Sequence, residues 1–241
     1  FFELKRLDPS YKVFFDNEKT VSISADIEKN YELFDSFEEN GAEKLRDYLE
    51  SAGKLYESIV KEMLYRDYRS ILDLLNGKLL LQGLRLNILE SLEHFVSHRF
   101  ESEEARKILQ YSIGFLGSAP QKTPSMYHIM SHIDMTMGVF YPEGGIRRVA
   151  ASIYELALEH GARFHFNEEV KRIEVTDGRP NSVITDKSIY EADAVVVNAD
   201  YPHSELELLD KPHRTYDEDY WKSRVLAPSA FVAYLGVDRV F

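Results

Sequence analysis

The sequence predicts a mixed α+β fold, and three observations carry that expectation. Short strand-like runs rich in β-branched and aromatic residues open the chain, a helical period then holds to about residue 135, and from Met137 strand patterns return around a single helix. With 241 residues, 44% of them hydrophobic, the chain can bury one large core or two smaller ones.

In chain order, residues 3 to 24 read as strands: "YKVFF" and "TVSISA" flank the turn-forming "DNEK", which predicts a hairpin. From Asp26 the period lengthens. Tyr31, Leu33, Phe34 and Phe37, then Leu45, Tyr48, Leu49, Ala52, Leu55, Tyr56, Ile59 and Val60 recur at helical spacing. Breaks are expected at Asn76-Gly77, near Phe100 and through "GFLGSAPQKTP", and Ser102-Glu103-Glu104 reads as a helix start with acids in its first turn. "MGVFY" reads as a strand leading to Gly144-Gly145 and a helix from about Ile146 to His160, with Gly161 as its stop. "ARFHF" is expected to complete a β-α-β unit. "EEVKRIEVT", a turn at Asp177-Gly178, "SVITD" and "SIYEADAVVVNAD" then form a meander returning to a buried strand over Ala194 to Val197, and "SAFVAYLGVD" reads as a last strand.

Composition excludes several function classes. A formal charge of -12 argues against a nucleic-acid partner, because phosphate needs a basic footprint. Half of it is local: between Asp26 and Glu50 nine acids face three bases, the pattern of a solvated helical surface. No cysteine is present, which removes disulfides, thiolate zinc sites and cysteine nucleophiles, and no metal site is expected. No apolar run is long enough to span a bilayer, and the first residues do not read as a signal peptide. Residues 71 to 96 hold fourteen Leu, Ile, Val and Phe against five charged residues, which suits either a buried helical layer or a segment lying in a membrane interface.

Three stretches are candidates for chemistry. "VFYPEGGIRRVA" places an aromatic pair, a proline and two glycines before a helix, either a plain connector or a place where backbone approaches a flat ligand. "ADAVVVNADYPHS" carries an apolar strand into Asn198, Ala199 and Asp200, either a turn or a ligand-side strand end. "FNEEVKRIEV" is a half-exposed strand whose backbone near Val170 is available to hydrogen-bond a ring edge.

Taken in order, these stretches, with "SAPQKTPSMYHIMSHIDMTMGVFYPEGG" before them and "SAFVAYLGVD" after, resemble the bacterial-type phytoene and carotenoid desaturases of the flavin-dependent amine-oxidase-like superfamily. The resemblance runs through nearly the whole chain. It implies a helix-rich substrate domain with a mixed sheet, interleaved with part of a Rossmann-like domain for flavin adenine dinucleotide (FAD). On that reading residues 1–140 form the substrate-binding helical region, 141–205 part of the FAD-binding region, and 206–241 a return strand into the substrate-domain sheet. Tyr141, Pro142, Gly144 and Gly145 become flavin-side residues, and Val170, Asn198, Ala199 and Asp200 become contacts on the adenosine and diphosphate side. The implied substrate is a carotenoid or isoprenoid hydrocarbon desaturated at a C–C bond, the implied location is cytoplasmic and peripheral to the membrane, and any polar assistance would come from His132, Asp134, Tyr141 or Glu143.

Two departures qualify the resemblance. The family's opening G-x-G-x-x-G turn and its closing flavin-contact motif are absent, so the sequence reads as an internal fragment that does not hold FAD tightly by itself. Other flavin oxidoreductases of the superfamily (amine oxidases, isoprenoid saturases, isomerases) share the same turns. Prenyl-lipid-binding escort proteins share the architecture without the chemistry.

Overall fold

The computed structural model describes residues 1–16, 19–60, 64–65, 90–225, 230–233 and 235–238. The chain forms two compact units, Phe1–Tyr154 with Ala227–Phe241, and Glu155–Leu226. The fold is α+β, with small antiparallel sheets beside the helices.

In the first unit β1 (Leu4–Arg6) leads to the hairpin of β2 (Tyr11–Phe14) and β3 (Thr20–Ile23), paired antiparallel from Tyr11↔Ile23 to Phe14↔Thr20. Val21 and Ile23 alternate inward from β3, as a two-residue period requires. Helix α1 (Ile27–Asp35) starts where the periodicity changes, with the Asp26 side chain accepting the Glu28 N–H. Asn30 joins hairpin to helix: buried, its amide accepts from Ser24 N–H and donates to the Ser24 carbonyl, both at 2.9 Å.

Helix α2 (Gly41–Ile59) packs on α1 through Leu45, Tyr48 and Leu49, the positions the helical period selects. The corner between them admits only glycine, because a Cβ on Gly41 would stand 2.0 Å from the Phe34 carbonyl oxygen. After it come α3 (Leu92–Ser97) and α4 (Glu103–Gln110), the latter capped by Ser102 as its sequence announces. Leu92, Phe95, Val96, Phe100, Ile108 and Leu109 close the core. Glu38 ties this layer to α1: one carboxylate oxygen accepts the N–H groups of Glu101 and Ser102, and the other receives Lys44 at 2.6 Å. Burial pushes the Glu38 pKa up, but the Lys44 hydrogen bond and the two amides outweigh it and hold it below the usual range.

Short 3-10 turns replace α-helix through "GFLGSAPQKTP", where glycines and prolines deny a continuous ladder. Helix α5 (Ile129–His132) then widens into a π-turn over Ile133–Met137, so the expected "MGVFY" strand begins later, as β4 (Phe140–Pro142) paired with β1. Helix α6 (Ile146–Glu159) follows.

In the second unit, Gly161 at φ +84° ends α6, its N–H reaching Leu158 and that of Ala162 reaching Ala157. Strands β5 (Val170–Thr176), β6 (Arg179–Thr185) and β7 (Ile189–Glu191) form an antiparallel meander, turned at Asp177-Gly178 with both residues left-handed. Helix α7 (Tyr201–Leu208) buries Glu205, whose carboxylate accepts the N–H groups of Thr215 and Tyr216, and the short α8 (Glu218–Lys222) follows.

Three expected strands differ. Residues 162–166 and 194–197 join no ladder, and neither do the described residues of "SAFVAYLGVD" (230–233 and 235–238). Composition made these segments strands, but a strand exists only when its N–H and C=O groups meet a partner. Among the described residues none pairs with them, and Val196 and Phe231 are 94% and 96% exposed. The β-α-β unit is therefore replaced by a helix and a separate meander. The expected break at Asn76-Gly77, and the apolar segment as far as Leu89, lie outside the described residues.

Candidate functional site

The turn after β4 is built by two glycines. Strand β4 is held against β1 with Tyr141 opposite Lys5 and Pro142 opposite Leu4, extended at each end by Leu7 N–H to the Val139 carbonyl and Glu143 N–H to the Glu3 carbonyl. The chain then reverses. Gly145 N–H bonds the Pro142 carbonyl at 3.0 Å, and the Gly145 carbonyl accepts Arg148 N–H at 2.9 Å, which starts α6. Gly144 and Gly145 sit at φ +82° and +86°, where an L side chain is strained. The space itself is open: a Cβ on Gly144 would meet only the Arg148 Cβ, at 3.9 Å, and one on Gly145 would lie 3.5 Å from the Tyr141 hydroxyl.

Around this bare backbone the surface is mixed, with Glu143, Arg147 and Arg148 exposed beside aromatic and aliphatic side chains. Phe140, Tyr141 and Ile146 are exposed, at 47%, 46% and 64%, while Pro142 is buried beneath them. Arg148 turns to the Phe1 carbonyl at 3.3 Å, and the Ser152 hydroxyl donates to that same carbonyl at 3.2 Å. The turn therefore offers open space over bare backbone, with Tyr141 and Ile146 exposed beside it.

Two other polar candidates of this unit, Asp134 and His132, have contacts of their own, while Glu143 is exposed on the turn. Asp134 accepts the Tyr111 hydroxyl at 3.1 Å, and burial raises its pKa against that hydrogen bond. Tyr111 in turn packs on Tyr11, with ring centroids 4.7 Å apart, and burial with the Asp134 charge pushes the Tyr111 pKa up to about 12. His132 lies against Tyr56, ring centroids 5.5 Å apart, and over Gly53, where a Cβ would come within 3.1 Å of its Cε1. Burial lowers the His132 pKa, and Glu57 opposes the shift. Sequence reasoning missed Tyr111, which donates to Asp134, and Tyr11, which packs on the Tyr111 ring from β2.

In the second unit, Val170 opens β5 opposite Thr185 and is part-exposed. Asn198 ends the unpaired extended segment, and Asp200 caps α7 by accepting His203 N–H at 2.9 Å. The cap gives Asp200 a structural duty. Between meander and segment, Ile173, Val175, Pro180, Val195, Val197 and Leu209 line an apolar groove of about 290 Å³ that the sequence did not announce.

Comparison with known proteins gives these residues a context. A family model described as flavin containing amine oxidoreductase matches residues 2–241. A carotenoid 3,4-desaturase of Haloarcula japonica is 32% identical over 99% of this chain and 48% of that protein. A 4,4'-diapophytoene desaturase (4,4'-diaponeurosporene-forming) of Staphylococcus aureus strain Newman is 26% identical over 99% of this chain and 48% of its own length. The chain thus spans about half the length of these relatives. A crystal structure of an oxidoreductase from Methanosarcina mazei aligns with TM-score 0.38 and 22% identity over 52% of this chain and 31% of that one.

Proposed function

Because the chain belongs to the flavin-containing amine oxidoreductase family, whose cofactor here is FAD, we propose that it forms part of a carotenoid desaturase. The observation that carries this reading is the match along 99% of the chain to two relatives that are both carotenoid desaturases. The substrate class would be a long isoprenoid hydrocarbon, and the reaction would remove two hydrogens from adjacent carbons to extend its conjugation.

The residues of the turn fit a flavin. Left-handed glycines at 144 and 145 keep side chains away from the backbone, and the open space over Gly144 admits a flat ring. Tyr141 would flank that ring, and the buried Pro142 would support the turn from beneath rather than touch the flavin. Bound FAD supplies the redox step. This chain's own part is orientation and exclusion of water. A polyene has no polar handle, so it must be positioned by apolar contact, for which the exposed Phe140, Tyr141 and Ile146 are suited. Val170, Asn198, Ala199 and Asp200 would serve the adenosine and diphosphate end, and the Asp200 cap would orient the N-terminus of α7.

The finer architecture belongs to the same reading. A Rossmann-like FAD domain interleaved with the substrate region is expected from the family, and it would require residues 162–166 and 194–197 to meet strand partners that the described residues do not supply. Peripheral membrane association suits a substrate that dissolves in lipid. Among the described residues no helix is long and apolar enough to cross a membrane.

The test is reconstitution of the full-length protein with FAD and liposomes carrying phytoene or partly desaturated carotenoids, followed by visible absorption. Red-shifted, fine-structured bands that require FAD are expected. A bound flavin with no shift for any polyene would overturn the reading. Vesicle flotation tests the membrane claim, and recovery wholly away from the vesicles would contradict it.

A further inference from the structure

We propose that Glu90, His94 and His98 form a binding site for a divalent first-row transition-metal ion of the nickel, copper and zinc group. His94 and His98 stand four positions apart, close to one helical turn, on one face of α3 and its C-cap, while Glu90 lies before the helix, ahead of the extended Ser91, and reaches His94 from there. One ligand atom from each lies within 4.8 Å of the other two. The site is independent of the flavin reading and uses none of its residues.

The frame under these ligands is fixed. The Glu90 carbonyl accepts Ser125 N–H at 2.8 Å, Ser91 bridges to Pro124, and Leu92 N–H bonds the Thr123 carbonyl at 2.8 Å. Ser91 caps the helix by accepting His94 N–H, while Leu92, Phe95 and Val96 bury the opposite face. Side chains on such a frame need only rotate to meet an ion.

Histidine chemistry supplies a second observation. His98 Nδ1 lies 2.9 Å from the His94 carbonyl oxygen, which can only accept, so in the neutral ring the proton sits on Nδ1 and the Nε2 lone pair is the one offered to an ion. A backbone carbonyl on the far ring nitrogen is the usual way to fix the tautomer of a metal-binding imidazole. His94 Nε2 is 3.8 Å from a Glu90 carboxylate oxygen, and the His94 and His98 rings stand edge to face with centroids 3.9 Å apart. An ion bound tetrahedrally at about 2.0–2.1 Å requires ligand atoms about 3.3 Å apart. Small rotations of two exposed imidazoles close that gap.

The donor set selects the ion. Two imidazoles with one carboxylate suit nickel, copper and zinc, whereas calcium and magnesium prefer all-oxygen shells. No cysteine anywhere in the chain offers a competing thiolate. Three protein ligands leave at least one coordination position to water.

The experiment uses the full-length, FAD-loaded protein stripped with a chelator and then titrated with zinc alone by calorimetry. A parallel sample receives one equivalent of copper(II) for electron paramagnetic resonance. One zinc per chain is expected, together with nitrogen hyperfine structure from two imidazoles on copper. His94→Gln and His98→Gln should each weaken zinc binding about tenfold or more. Glu90→Gln should weaken it less, and His203→Gln not at all. Circular dichroism should be unchanged in all four, since both histidines of the site are exposed. Failure of the wild type to take up zinc overturns the proposal, as does binding at wild-type strength by both histidine variants. Absence of two-nitrogen hyperfine structure on copper counts equally against it, with no variant needed.

Discussion

Gly145 lies across the turn from Tyr141, so near that a Cβ added to it would stand 3.5 Å from the tyrosine hydroxyl. That distance is ordinary contact, so the pocket tolerates a methyl group and the backbone does not: φ is +86°. Gly145→Ala, and Gly144→Ala at φ +82°, should each cost about 1–2 kcal/mol of conformational strain without a collision. We expect the full-length variants to fold and to retain less flavin, read from the ratio of flavin to protein absorbance after gel filtration. Wild-type retention in both would remove the turn from the flavin site.

Gly41 is the opposite case. Its added Cβ would stand 2.0 Å from the Phe34 carbonyl oxygen, against backbone that cannot yield. Gly41→Ala should destabilise the protein by about 2–4 kcal/mol, seen as a lowered Tm of several degrees. An unchanged melt would mean that the α1–α2 corner is looser than described.

Much of this was legible in the sequence, where the signal is local. Ser102 before two acids, Gly161 after a helical period and Asp177-Gly178 between alternating runs each specify backbone within a few residues, and each does what its chemistry requires. Long-range closure was not legible. Nothing in the sequence tells that the Glu38 carboxylate reaches the amides of Glu101 and Ser102, or that Asn30 clamps both backbone groups of Ser24. Residues 162–166 and 194–197 carry strand composition, yet pairing is decided by a neighbour rather than by composition. At the site, glycine spacing and the aromatic-proline pair were readable. The Tyr111 hydroxyl on Asp134 was not, because it joins residues from separate turns of the chain, and neither was the approach of Glu90 to His94, which depends on the extended Ser91 between them.

Stability should fall in mild acid because of His128. It is buried against Tyr48 and Phe95, with Nδ1 donating to the Ser125 carbonyl at 2.8 Å. Burial first, and Arg99 after it, lower its pKa to about 4 against the Ser125 hydrogen bond. The unfolded chain binds that proton near pH 6.5 and the folded one does not, so stability is full above about pH 6.5 and declines toward pH 4. The loss should reach a few kcal/mol. Urea unfolding between pH 7 and pH 4 measures it, and His128→Gln should flatten the slope.

Asp134 offers a finer check. The Tyr111 hydroxyl stabilises its ionised form, while burial opposes ionisation. Tyr111→Phe should therefore raise the Asp134 pKa further above the usual range. Carboxyl carbon resonances followed against pH would show the shift, and a lowered value would contradict the described hydrogen bond.

The reading proposed for this chain is a part in the desaturation of a long isoprenoid hydrocarbon by FAD. Its most direct test is the visible spectrum of the full-length, FAD-loaded protein with phytoene in liposomes. Growth of red-shifted, fine-structured polyene bands in wild type, reduced in Gly144→Ala and Gly145→Ala in step with flavin loss, is the predicted result. A fully flavin-loaded protein that leaves the spectra of phytoene and partly desaturated carotenoids unchanged would contradict the account.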